Sequence, residues 1–166
     1  MFDQVFGLPA HPLIVHFAVV LTPLLALLAV AYAALPRLRS RLGWAVVLLS
    51  LGSPVAIFVA KESGESLKEA RFATTEGELA TMIATHQSFA NPLLLSALGL
   101  GVSALLLVFA TTPARAGKEE GAAATGGDRF GRAGTVALSV LTVVLALAAA
   151  YYVFQAGDSG ARAVWE

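Results

Sequence analysis

The chain has no cysteine. That excludes disulfides, thiolate metal sites, iron–sulfur ligation and a cysteine nucleophile. Charge is also scarce. Charged residues make up 13% of the 166 residues, against about 25% in an ordinary soluble domain, and hydrophobic residues make up 57%. Eleven basic side chains balance eleven acidic ones. A globule with so thin a charged coat and no net charge would aggregate in water. A soluble enzyme, a basic nucleic-acid binder and an acidic disordered chain are therefore disfavoured. The composition fits a single integral membrane domain, with the lipid bilayer as its first partner.

What is present in place of charge is four apolar runs. They cover about residues 12–35, 44–60, 92–111 and 135–154, and none holds Asp, Glu, Lys or Arg. A bilayer core of about 30 Å takes about 20 helical residues to cross. The runs lack strand alternation, so the expected fold is all-α, a four-transmembrane-helix bundle. The first run lacks a basic leader and exceeds a signal core, so it reads as a retained span. No lipidation motif and no internal repeat stands out. Pro23 and Pro54 fall inside spans and are expected to kink them. Gly99 and Ser103 form a small-xxx-small pair suited to packing inside the bundle.

The connections divide the charge. Arg37, Arg39, Arg41, Arg115, Lys118, Arg129 and Arg132 fall on one side; Lys61, Lys68, Arg71 and Arg162 fall on the other. The positive-inside rule puts the first group in the cytoplasm, with loop 112–134, and both termini and loop 61–91 outside. The expected location is a bacterial inner membrane. Residues Gly121 to Gly127 read as flexible loop. In the outer loop, Thr75 and Glu78 match a capping box, and Leu79, Met82, Ile83 and His86 follow at helical spacing. A short amphipathic helix over 75–90 is expected, ended by Asn91–Pro92.

All three histidines, His11, His16 and His86, fall at the outer end of the bundle. Lys61, Glu62, Glu65 and Asp158 converge on the same end. Three readings follow. Haem b can be held by two imidazoles on facing helices, with His16 and His86 as the first pair and His11 in reserve. A divalent metal can bind His16, His86 and a carboxylate from Glu62, Glu65 or Asp158. The bland reading is a polar mesh closing the bundle's mouth. It corresponds to a structural or partner-binding subunit without cofactor, alone or as a homo-oligomer. The run Lys61 to Glu65 reads more simply as a solvated rim. The spans carry no mid-membrane charge, which argues against an ion-coupled transporter. No hydrolase or nucleotide motif is present.

The run Leu8-Pro-Ala-His11-Pro-Leu-Ile-Val-His16-Phe-Ala resembles the opening of the bacterial membrane family called domain of unknown function 2231. Ala60-Lys-Glu-Ser-Gly-Glu65, His86 ahead of the third span, and Gly157-Asp-Ser-Gly-Ala-Arg-Ala-Val-Trp165 fit the same family. The resemblance covers roughly Gly7 to Trp165. It implies a small four-helix inner-membrane protein with no established activity. Many members of that family carry histidine at the position of Asp158, so this chain has one imidazole fewer.

Overall fold

The computed structural model describes residues 4–5, 8–112 and 129–165. The expected flexible loop over Gly121 to Gly127, with Arg115 and Lys118, lies outside the described residues. Helix α1 spans Ala10–Ala34, α2 Arg39–Arg71, α3 Glu78–Ser88, α4 Ala90–Thr111 and α5 Gly131–Trp165. A 3-10 turn over Pro36–Leu38 joins α1 to α2, and a two-residue antiparallel pair, Gln4–Val5 with Leu8–Pro9, precedes α1. Among the described residues, four helical stretches are long and apolar enough to cross a membrane: 10–34, 36–71, 78–111 and 131–165.

The long helices form a ring in the order α1, α2, α4, α5. Each packs on its two neighbours, while α1 and α4, on a diagonal, barely touch. Small residues make this possible. Ala26, Ala29, Ala97, Ala104, Ala146 and Ala149 are buried along the seam with Leu25, Leu100 and Leu107. Between lipid-facing helices there is little hydrophobic drive, so close van der Waals packing of small side chains must hold the bundle. The tightest approach is Gly101 against α2, where an added Cβ would lie 2.7 Å from the Ser50 carbonyl oxygen. Gly99, singled out by spacing, instead faces the Leu145 side chain. Ser103 is buried, as internal packing requires. The outer surface carries Phe17, Leu27, Leu48, Val55, Leu95, Val102, Val140, Leu147 and Phe154, all exposed and all apolar. That is the surface a bilayer would cover.

Both helices with internal proline run on through it. The residue before each proline is a hydroxyl, Thr22 or Ser53, and the two are fully buried and hydrogen-bonded at 3.0 Å. This ties α1 to α2 at mid-span. At the opposite end from the histidines, Tyr32 joins the Thr111 hydroxyl at 2.8 Å, and Arg39 Nε donates to the Tyr32 carbonyl at 3.1 Å.

The outer helix starts later than the capping box implies. Its N-cap is Gly77, at φ 75°, and no side chain caps it. Thr75 instead closes a turn, its N–H donating to the Phe72 carbonyl at 3.1 Å. A glycine reaches this left-handed backbone without the Cβ clash other residues suffer, and it sets the start in place of Thr75. The chain breaks at Phe89 rather than at Asn91–Pro92, so Pro92 falls in the first turn of α4, where a missing N–H costs nothing.

Two outcomes test this packing. Thr22→Val leaves Ser53 without its partner and should lower stability in detergent by about 1 kcal/mol. Gly101→Leu should cost more, about 1–3 kcal/mol, because the Ser50 backbone has to move. A denaturant titration that ranked the two in the opposite order would contradict the packing described.

Candidate functional site

At the end of the bundle opposite the arginine-rich turn, two histidines from distant parts of the chain meet. His11 lies in the first turn of α1 and His86 in the last turn of α3. Their ring centres are 6.2 Å apart and their planes are inclined by 74°. Both rings are half-buried.

Each ring is held in the same way. His11 Nδ1 donates to the Ala60 carbonyl at 2.9 Å and approaches the Ser63 hydroxyl at 3.2 Å. His86 Nδ1 donates to the Ala156 carbonyl at 2.9 Å and approaches the Ser159 hydroxyl at 3.3 Å. A carbonyl oxygen can only accept, so the proton of each neutral ring must sit on Nδ1. That leaves the Nε2 lone pair unprotonated on both. Among the described residues neither Nε2 has a hydrogen-bond partner. A carbonyl that fixes the tautomer and frees the other nitrogen is the usual support behind a metal-binding imidazole.

The serines are supported in turn. Ser63 Oγ donates to the Ala60 carbonyl at 2.8 Å, and Ser159 Oγ donates to the Gln155 carbonyl at 2.7 Å. Next to each serine is a glycine that the ring presses against. A Cβ at Gly64 would lie 3.0 Å from His11 Cε1, and one at Gly160 would lie 3.0 Å from His86 Cε1.

The two halves therefore repeat one design, and the sequence carries it. Residues 58–64 read Phe-Val-Ala-Lys-Glu-Ser-Gly, and residues 154–160 read Phe-Gln-Ala-Gly-Asp-Ser-Gly. Phe, Ala, Ser and Gly recur at the same places, with an acid before each serine. This corrects the reading that the chain holds no internal repeat. The repeat is short, and the helices around it share little sequence. The period from Ala60 to Ala156 is long enough to escape a search for adjacent similarity.

The other candidates do not join the pair. His16 is exposed, and its Nδ1 donates to the Pro12 carbonyl on its own helix. Lys61 pairs with Glu65 at 2.7 Å and with Glu62 at 3.4 Å. Asp158 pairs with Arg162 at 3.0 Å. Among the described residues no three His, Cys, Asp or Glu side chains cluster as metal ligands do. The set His16, His86, Glu62, Glu65 and Asp158 is thus not assembled, because its carboxylates sit on the outward faces of α2 and α5. In the run 60–65 the charged residues point to solvent as a rim does, and it is Ser63 and Gly64 that face the histidine.

A family model matches residues 7–166. The chain belongs to the family described as predicted membrane protein DUF2231. The description fits the four spanning helices and names no activity. No curated protein and no solved structure matches the chain. The His-Pro-Leu-Ile-Val-His segment and both Ala-x-x-Ser-Gly segments lie inside the matched region.

The tautomer is directly measurable. In cofactor-free protein, nitrogen-15 NMR of the imidazoles should show His11 and His86 as Nδ1–H tautomers. An Nε2–H signal from either ring would contradict the hydrogen bonds described.

Proposed function

We propose that the chain is a membrane-embedded haem protein that carries electrons, with His11 and His86 as the two axial ligands. The observation that carries this is the spacing of the rings. With a metal–nitrogen bond of about 2.0 Å, and the nitrogen about 1 Å from its ring centre, two imidazoles on opposite sides of one metal have centres about 6 Å apart. The observed separation is 6.2 Å. Two nitrogens alone do not complete a tetrahedral zinc site, which takes four ligands. They do complete an iron whose other four positions are filled by a porphyrin. The glycines behind the rings, Gly64 and Gly160, give each imidazole room against the neighbouring helix. The sequence favoured His16 with His86; the geometry supports His11 with His86.

Held by His11 and His86, a haem would supply one-electron transfer. The protein's part is orientation. The carbonyls of Ala60 and Ala156 hold each ring with its proton on Nδ1, and the two glycines let each ring lie close against the neighbouring helix, α2 for His11 and α5 for His86. His11 ties α1 to α2, and His86 ties α3 to α5.

The orientation in the membrane belongs to the same proposal. Counted by connection along the sequence, seven Lys/Arg belong with the arginine-rich turn and four with the histidine end, and the positive-inside rule then turns the histidine end away from the cytoplasm of a bacterial cell.

Protein purified in mild detergent after growth with ample haem should show a Soret band that shifts on reduction. His11→Ala and His86→Ala should each lose it, while His16→Ala keeps it. Colourless protein under those conditions would overturn the haem reading, and a band that survived both alanine variants would overturn the ligand assignment. For orientation, a cysteine at the exposed position Glu76 should react with an impermeant reagent in spheroplasts, and one at Ser40 should not. The reverse pattern would invert the topology.

A further inference from the structure

The serine beside each ring is kept where its neighbours change. Between residues 58–64 and 154–160, Val59 becomes Gln155, Lys61 becomes Gly157 and Glu62 becomes Asp158, while Ser63 and Ser159 stay. Packing alone does not ask for a hydroxyl at those places. Alanine is close to serine in size, and alanine lines much of the buried seam. What the hydroxyl adds is a second polar atom within reach of Nδ1.

On α2 the Ala60 carbonyl is approached by three donors. The Gly64 N–H reaches it one turn along the helix. The Ser63 hydroxyl donates to it at 2.8 Å, and His11 Nδ1 donates to it at 2.9 Å. A carbonyl oxygen has two lone pairs. The Ser63 proton therefore competes with the ring for one oxygen, and the ring divides its own proton between that oxygen and Ser63 Oγ at 3.2 Å. On α5 the serine turns elsewhere. Its hydroxyl donates to the Gln155 carbonyl at 2.7 Å and stands 3.2 Å from the Ala156 carbonyl. His86 Nδ1 meets the Ala156 carbonyl at the same 2.9 Å, but there the shorter bond of the serine falls on a different oxygen. The two rings have matching partners and unequal competition for them.

We propose that Ser63 and Ser159 are positioning residues that set the donor strength of the two imidazoles, and set it unequally. Ser63 loosens the hold of the Ala60 carbonyl on the His11 proton, while Ser159 leaves the Ala156 carbonyl to His86. An imidazole whose Nδ1 proton is held more tightly is more basic at Nε2. His86 is then the stronger ligand of the pair. The redox consequence rests on the haem reading: a more basic axial ligand favours the oxidised iron and lowers its potential. The hydrogen-bond part stands without it.

The chain has three histidines, so selective nitrogen-15 labelling of the rings gives a spectrum that His11→Ala, His16→Ala and His86→Ala assign. The full protein in detergent, free of cofactor, should show the His86 Nδ1 proton downfield of the His11 one, because a tighter hydrogen bond deshields its proton. Ser63→Ala removes the competitor, so it should carry the His11 proton downfield and leave His86 where it was. Ser159→Ala should move His86 by less. A His11 proton level with or downfield of the His86 one in the unaltered protein would overturn the proposal without any variant. So would a His11 proton indifferent to Ser63→Ala. In haem-loaded protein, Ser63→Ala should keep the Soret band and lower the midpoint potential, by more than Ser159→Ala does. A rise, or an equal change in both variants, would overturn the redox part. The expected proton shifts in protein that takes up no haem would uphold the role of the serines and leave the haem reading to fail on its own.

Discussion

A histidine that gives its Nδ1 proton to a backbone carbonyl on another helix does two things at once. It fixes which nitrogen is free, and it pins its own helix to its neighbour. Here that bond is made twice, by His11 to Ala60 and by His86 to Ala156. Every other feature of the histidine end follows. The serines lie three residues on, within reach of the same ring nitrogen. The glycines lie four residues on, where any side chain would press on the ring. Below the site, alanines keep the helices close enough for a carbonyl on one to meet a ring on the next. An unsatisfied carbonyl or imidazole at this depth would cost several kcal/mol in an apolar surrounding, so the two bonds are also what permits polar groups to gather there.

The bundle below answers to the same economy of size. Gly101 and Ser50 bring α4 and α2 together, and Thr22 and Ser53 bridge α1 and α2 beside their prolines. Neither contact depends on charge. The charges are left to the two ends of the bundle.

The architecture was legible in the sequence because its cause is a one-dimensional property. An uncharged run long enough to cross a bilayer is visible without knowing what it packs against, and all four runs correspond to helices. The amphipathic stripe of Leu79, Met82, Ile83 and His86 was legible for the same reason, and α3 does lie against α5. The start of that helix was not, since a glycine at positive φ overrode the better-looking cap. That histidines gather at one end of the bundle was legible, but not what each of them touches. Spacing on α1 treats His11 and His16 alike up to a rotation of the helix, and only the position of α2 decides which one meets a carbonyl of another helix. The acids of the 60–65 run drew attention by their charge, whereas the residues that touch the ring, Ser63 and Gly64, are chemically quiet. Comparing that run with 154–160 would have exposed them.

The two Ala-x-x-Ser-Gly segments belong to one chain and not to two copies of a shorter one. In an assembly of identical halves, a lysine at position 61 would appear at both places, and both sides of the bundle would be alike. Joining the halves in a single polypeptide removes that tie. The face turned toward the histidines stays duplicated because both rings need the same support. The outward face is free to differ, with Lys61 on one side and Gly157 on the other. A near-symmetric centre can thus have an inequivalent left and right.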